Sequence, residues 1–211
     1  MKNYALLTFF ILSSLITSGQ KDTTFFFDEF RLSANRTCLK DDNTNNLFGF
    51  GIGVYHNFIA DRKVNLIFGF EYNRTSQFVK YQYEGHYQNS KDITFHLNSL
   101  SIPLTARLNI GQTIKCFIDA GAFLDLNIGA RSKGTRYTSL PNQNTQEVQY
   151  NEKSDFSSLN YGPSLGFGLK IPIEKHEIIF KSDYKFGLNV QTGSMDEIYN
   201  SYLRLLIGLK I

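Results

Sequence analysis

Ten charged residues, Glu71, Arg107, Lys115, Asp119, Asp125, Lys170, Lys181, Asp183, Lys185 and Arg204, each sit between two apolar, aromatic or small neighbours. In an extended chain such positions share one face. Opposite charges held together away from water must pair, so the chemistry this spacing supports is a network of ion pairs. The alternative is the lining of a narrow ion path. Other chemistry is poorly supported. The four histidines, His56, His86, His96 and His176, are dispersed, with none at metal-ligand spacing. Gly49, Gly51 and Gly53 alternate after Phe48, which is not a dinucleotide fingerprint. They make room for long side chains opposite. A Ser–His reading, with His56 as base and Ser76 or Ser182 as nucleophile, would put lipid chemistry on an outer wall. Its geometry is poor, because His56 falls near the periplasmic end and Ser76 toward the outside, while Ser182 is on a strand that does not neighbour that of His56. No metal or cofactor is expected.

The elements that must position these charges are strands. In Ile114–Arg131 one alternate set (Ile114, Cys116, Ile118, Ala120, Ala122, Leu124, Leu126, Ile128, Ala130) is wholly apolar. The interleaved set, Lys115 to Arg131, is dominated by charged residues, Asn127 and glycine. The same alternation runs through Leu159–Ile173, Glu177–Val190, Tyr199–Ile211 and Leu100–Ile110, and with lapses through Phe48–Ala60 and Val64–Lys80. Thr24–Ala34 is the least regular, because Asp28 interrupts its apolar set. A soluble sandwich also alternates. These runs, however, exceed the roughly 5–6 residues usual in soluble strands, and glycine recurs at period 2 on the polar face. An apolar outside facing lipid over a polar inside accounts for both. The fold class predicted is all-β, an eight-stranded antiparallel up-and-down transmembrane β-barrel.

Tight turns are expected at Asp61–Lys63, Gly111–Thr113 and Glu174–His176. Longer polar loops are expected at Asn35–Asn46, Tyr81–Asp92, Ser132–Phe156 and Gln191–Ile198. Short periplasmic turns with long external loops are the pattern of outer-membrane barrels. An eight-stranded lumen is just wide enough to be filled by side chains, which favours a salt-bridged plug over a pore. Cys38 falls at the external end and Cys116 near the periplasmic end. That is too far apart for a disulfide, whose Cα atoms lie within about 7 Å.

Residues 1–19 read as a cleaved secretory signal, with Lys2, an apolar stretch from Tyr4 to Ile16, and small residues at Thr17-Ser18-Gly19. Residues 20–211 are then the barrel. Removing the signal lowers the formal charge from +3 to +2, too balanced to argue for nucleic acid. No segment reaches the ~18 consecutive apolar residues of a membrane helix.

The stretch Leu97–Arg107, with Ile102-Pro103-Leu104 at its centre, resembles the fourth-strand motif of the PorT-like outer membrane protein β-barrel family, an OmpA/OmpX-type eight-stranded barrel. Ile118-Asp119-Ala120-Gly121-Ala122 is similar to the strand that follows in that family. Asn160–Gly168 resembles its Gly-rich sixth strand. The resemblance implies an outer-membrane barrel without catalytic residues.

The sequence thus predicts a non-enzymatic outer-membrane protein with an envelope structural or loop-mediated binding role. A narrow pore for small solutes and a lipid-modifying enzyme are the alternatives. Candidate loop contacts are Tyr83 and Tyr87 in an aromatic tip, and Lys133, Arg136 and Tyr137 in the longest loop. Their partners would be outer-membrane lipid or lipopolysaccharide, through charge-assisted hydrogen bonds to phosphate, or an extracellular protein or glycan. An interfacial girdle of aromatic and basic residues is the plainer reading.

Overall fold

The computed structural model describes residues 26–37, 43–59, 63–139, 145–154, 158–188, 190–191, 198–199 and 201–211. The signal segment and Cys38 lie outside the described residues. The strands are β1 (Glu29–Thr37), β2 (Thr44–Asn46), β3 (Phe48–Asn57), β4 (Val64–Gly85), β5 (Gln88–Ile110), β6 (Lys115–Thr138), β7 (Gln146–Lys153), β8 (Leu159–Ile173), β9 (His176–Lys185), β10 (Val190–Gln191), β11 (Ile198–Tyr199) and β12 (Tyr202–Lys210). Among the described residues there is no helix, and so none long and apolar enough to cross a membrane.

Eight of these are staves of a closed antiparallel barrel, in the order β1-β3-β4-β5-β6-β8-β9-β12, and β12 pairs back onto β1 with Glu29 opposite Lys210 and Thr37 opposite Tyr202. Closure leaves no stave with an unpaired edge, the condition for spanning lipid. Along each stave alternate side chains turn out or in. On β12 the burial alternates strictly from Tyr202 to Gly208, with Leu203, Leu205 and Ile207 outward and Tyr202, Arg204 and Leu206 inward. The exposed outer wall includes Leu32, Ile52, Leu104, Ile118, Phe167 and Leu205. Cys116 is a free thiol exposed on it.

Asp28 precedes β1 and does not belong to the wall. Its carboxylate accepts from the Asn57 backbone N–H and side-chain amide, both at 3.0 Å, so the apolar set of β1 is Phe30, Leu32 and Ala34.

The external segments differ from the loops expected. Tyr81–Asp92 is a hairpin: β4 and β5 run on to Gly85 and Gln88 and pair to their tips. Ser132–Phe156 is largely a second hairpin, with β6 continuing to Thr138 and β7 returning along it. The upper parts of β4, β5, β6 and β7 therefore form a four-stranded sheet standing above the barrel, with β2 on the free side of β4 at Gln77–Val79. At the opposite end, the turns between β5 and β6 and between β8 and β9 span four residues and two. Gly111 and Glu174 take left-handed backbone there, with φ of 109° and 52°.

Two irregularities re-aim the upper strands. Ser99 pairs with Asn127 and Asn98 with Gly129, leaving Ile128 as an extra residue on β6. Below this bulge the odd-numbered residues of β6, such as Asp119, Phe123 and Asp125, point inward; above it Ser132 is buried while Arg131 and Lys133 are exposed. A second shift on β5 between Lys91 and Thr94 holds Asp92, at φ 52°. Regular alternation along Ile114–Arg131 puts Arg131 on the inward face. The bulge turns it out.

Candidate functional site

The lumen holds most of the polar chemistry. Eight charges supplied by five staves form one chain in which signs alternate. Asp125 lies 3.6 Å from Lys185, which reaches Glu71 at 2.9 Å. Glu71 is 2.7 Å from Arg204, which also holds Asp183 at 2.7 Å. Lys181 bridges Asp183 at 2.9 Å and Asp119 at 2.8 Å, and Arg107 closes the series on Asp119 at 2.7 Å. Arg107 and Arg204 each clasp their aspartate with two N–H donors, the fork geometry that fixes orientation as well as charge.

Neutral groups satisfy much of the remainder. The Tyr55 hydroxyl donates to Glu71, the Tyr202 hydroxyl to Asp125 at 3.1 Å, and Lys185 to Ser101 at 2.7 Å. Rings pack on the cations: Arg107 lies 3.7 Å from the Phe117 centroid, and Lys185 lies 4.8 Å from that of Phe123. Inward glycines make these fits. A Cβ on Gly69 would fall 2.4 Å from the Tyr55 ring, and one on Gly168 would fall 2.5 Å from Phe117 Cζ.

Of the ten charges expected inside, Glu71, Arg107, Asp119, Asp125, Lys170, Lys181, Asp183, Lys185 and Arg204 are buried. Lys115 differs. Its side chain is 39% exposed at the short-turn rim. Lys115, Lys170 and Lys210 surround Glu177 there at 3.8, 3.9 and 4.0 Å. Beyond the ten, Glu29 and Arg31 form an ion pair at the floor of the lumen with Arg31 stacked on Tyr55. The amides Asn35, Asn57, Asn65, Asn73 and Asn160, and the rings Phe117, Phe123 and Tyr202, are buried as well.

Higher up, Val79, Ile93 and Leu97, all at inward positions on β4 and β5, are buried. Above them the two faces of the standing sheet differ. On the inner face Arg136 binds Glu84 at 3.3 Å and Glu152 through two bonds of 3.2 Å, with its guanidinium 4.5 Å from the Tyr150 ring. The bond to Glu152 holds the guanidinium above its usual range. Arg136 is thus paired and turned away from Lys133 and Tyr137, which lie on the outer face. Lys91 sits over Tyr137 there at 5.0 Å. Tyr83 and Tyr87 are exposed by 51% and 53% near the hairpin tip.

His56 and Ser76 lie apart. His56 is stacked on Phe26 and edge-on to Phe58, each at 4.8 Å, in an aromatic group near the short-turn end. Ser76 instead meets His96, with Oγ 2.9 Å from Nδ1. Ser76 is 6% exposed, and no carboxylate orients His96 among the described residues. Burial, then the charge of Arg74, lowers the imidazole below its usual range. The pair lacks the oriented base and open nucleophile of a catalytic dyad. No cluster of three or more candidate metal-binding side chains occurs among the described residues.

An apolar-walled, edge-free barrel whose inside is packed with paired charges is the architecture of an outer-membrane barrel. Residues 19–191 match the outer membrane protein beta-barrel domain family, and the chain belongs to it. Among solved structures it is similar to Neisserial surface protein A, with a TM-score of 0.46, 12% identity, and coverage of 87% of this chain and 95% of that one. It is similar to Ail, the attachment invasion locus protein of Yersinia pestis (TM-score 0.40, 14% identity, 86% and 93% covered). A major outer membrane protein from Thermus thermophilus gives 0.45 and 11%, over 86% and 97%. No curated protein sequence matches it.

Proposed function

We propose that this chain is a non-enzymatic anchor: a barrel closed by its own ion pairs, which holds a rigid sheet outside the outer membrane for binding at the cell surface. The observation that carries this reading is the alternating run from Asp125 to Arg107. Its eight members cancel in charge and are buried inside the barrel, which supports a lumen plugged by ion pairs over an open solute path. The surface partner is an extracellular protein or glycan, engaged through the exposed tyrosines and the outer face of the sheet. Within the family, Leu97–Arg107 and Asn160–Gly168 favour a PorT-like relationship. Residues 1–19 are its cleaved export signal.

The test replaces residues 133–155 by a short turn and compares capture of extracellular matrix proteins and glycans by cells displaying either form. Capture that depends on the segment, with a heat-modifiable barrel retained, is expected. Equal capture by both forms would overturn the binding role.

A further inference from the structure

The outer face of the standing sheet carries a row of cations immediately above the apolar wall. The Ile128 bulge creates it by turning Arg131 and Lys133 outward. In the ladder, His96 is opposite Arg131 and Arg131 is opposite Lys153. Lys133 stands two residues higher on β6, about 7 Å on, and Arg74 stands on β4 beside His96, close enough for its charge to act on the imidazole. Like charges directly opposite one another in a sheet repel, yet Arg131 and Lys153 face each other, and neither they nor Lys133 form an ion pair among the described residues. Of the acids in this sheet, Glu84 and Glu152 are committed to Arg136 on the other face, and Asp92, in the β5 bulge between Lys91 and Thr94, forms no ion pair with the row among the described residues. Asp92 and Glu147 act at Tyr137, six residues beyond Arg131. Below the Asn98–Gly129 level the wall is lipid-facing, with Leu100, Leu126 and Ile128 exposed by 46%, 42% and 58%.

We propose that Arg131, Lys133 and Lys153, with Arg74 at the flank, bind a phosphate of an outer-leaflet lipid headgroup. Height decides the occupant. The row lies where acyl chains packed against Leu126 and Ile128 end and their headgroups begin. A phosphate there supplies a counter-charge that no ion pair among the described residues provides, through charge-assisted hydrogen bonds. A soluble anion would gain the same charge contacts without the apolar ones below. The inference gives the outer face a partner in addition to the protein or glycan above, and rests on the reading of that face as a binding surface.

The test uses the full mature chain refolded in neutral detergent and titrated with bisphosphorylated lipid A, its dephosphorylated form, and inorganic phosphate. Retention is read by native mass spectrometry. The triple variant R131Q/K133Q/K153Q is expected to hold lipid A at least tenfold more weakly. K175Q, at the other end, is expected to match the parent. Dephosphorylated lipid should bind poorly, and inorganic phosphate should not displace the lipid at equal concentration. Equal binding by the triple variant, equal binding of the dephosphorylated lipid, or displacement by inorganic phosphate would overturn the proposal. If the triple variant does not refold, K133Q alone, exposed and unpaired, is measured, with a weaker but resolved loss expected. Normal lipid binding alongside lost surface capture, or the converse, separates failure of this site from failure of the surface-binding role.

Discussion

Glu71 on β4 and Lys185 on β9 are 114 residues apart in sequence and meet inside the barrel at 2.9 Å. Glu71 is also held by Arg204 and Tyr55. It is the point where three distant staves are tied, so closing the barrel and completing the ion chain are one event.

Glu71→Ala should therefore be far costlier than loss of an outside acid. It strands Lys185 and Arg204 in a dry interior, a change that typically costs about 3–5 kcal/mol. Glu84→Ala, on the exposed sheet, should cost no more than about 1 kcal/mol. Urea unfolding in detergent micelles measures both. Similar values would argue that the lumen is wet.

Gly168→Ala should be destabilising by about 1–3 kcal/mol, the usual cost of overpacking, because the new methyl would meet the Phe180 carbonyl oxygen at 2.2 Å and Phe117 at 2.5 Å. Gly129→Ala, whose nearest contact would be 3.9 Å away, should be tolerated. The thermal midpoint of the heat-modifiable band reads the difference.

The bulge at Ile128 predicts a labelling pattern. In a cysteine-free background, Arg131→Cys and Lys133→Cys should react quickly with a membrane-impermeant maleimide. Ser132→Cys, at a position 7% exposed, should react slowly. A strand continuing in regular alternation from Asp125 would give the reverse order.

His96 gives a pH-dependent signature. Burial and Arg74 disfavour its protonated form, so its midpoint in an NMR titration should fall below 6.5, the ordinary value. A base with a lowered pKa stabilises the fold fully above its unfolded value, and that stability declines as pH falls through and below it. Arg74→Gln should raise the midpoint. An unchanged midpoint would remove the Arg74 contribution.

Much of this architecture was legible because lipid outside and charge inside impose a strict period of two. Leu159–Ile173 forms one strand with the limits read from its alternation. Nine of the ten charges assigned inward are buried for the same reason. Legibility failed where the pattern was not the controlling influence. Glu29 and Arg31 are hidden in the sequence because Asp28 makes β1 look irregular, whereas Asp28 caps Asn57 outside the strand. Polar segments such as Gln146–Lys153 read as loops because a solvated sheet needs no apolar face, and their ladder is held by backbone pairing that composition does not display. Arg131 and Arg136 could not be placed without the bulge, since one inserted residue exchanges the two faces. The Ser76–His96 contact depends on strand register, which composition does not display.

The most direct measurement of the closed lumen is single-channel recording of the purified, refolded mature protein in planar bilayers. The alternating chain from Asp125 to Arg107 predicts no steady conductance from barrels shown to be inserted. A stable, reproducible open step from the unmodified protein would contradict it.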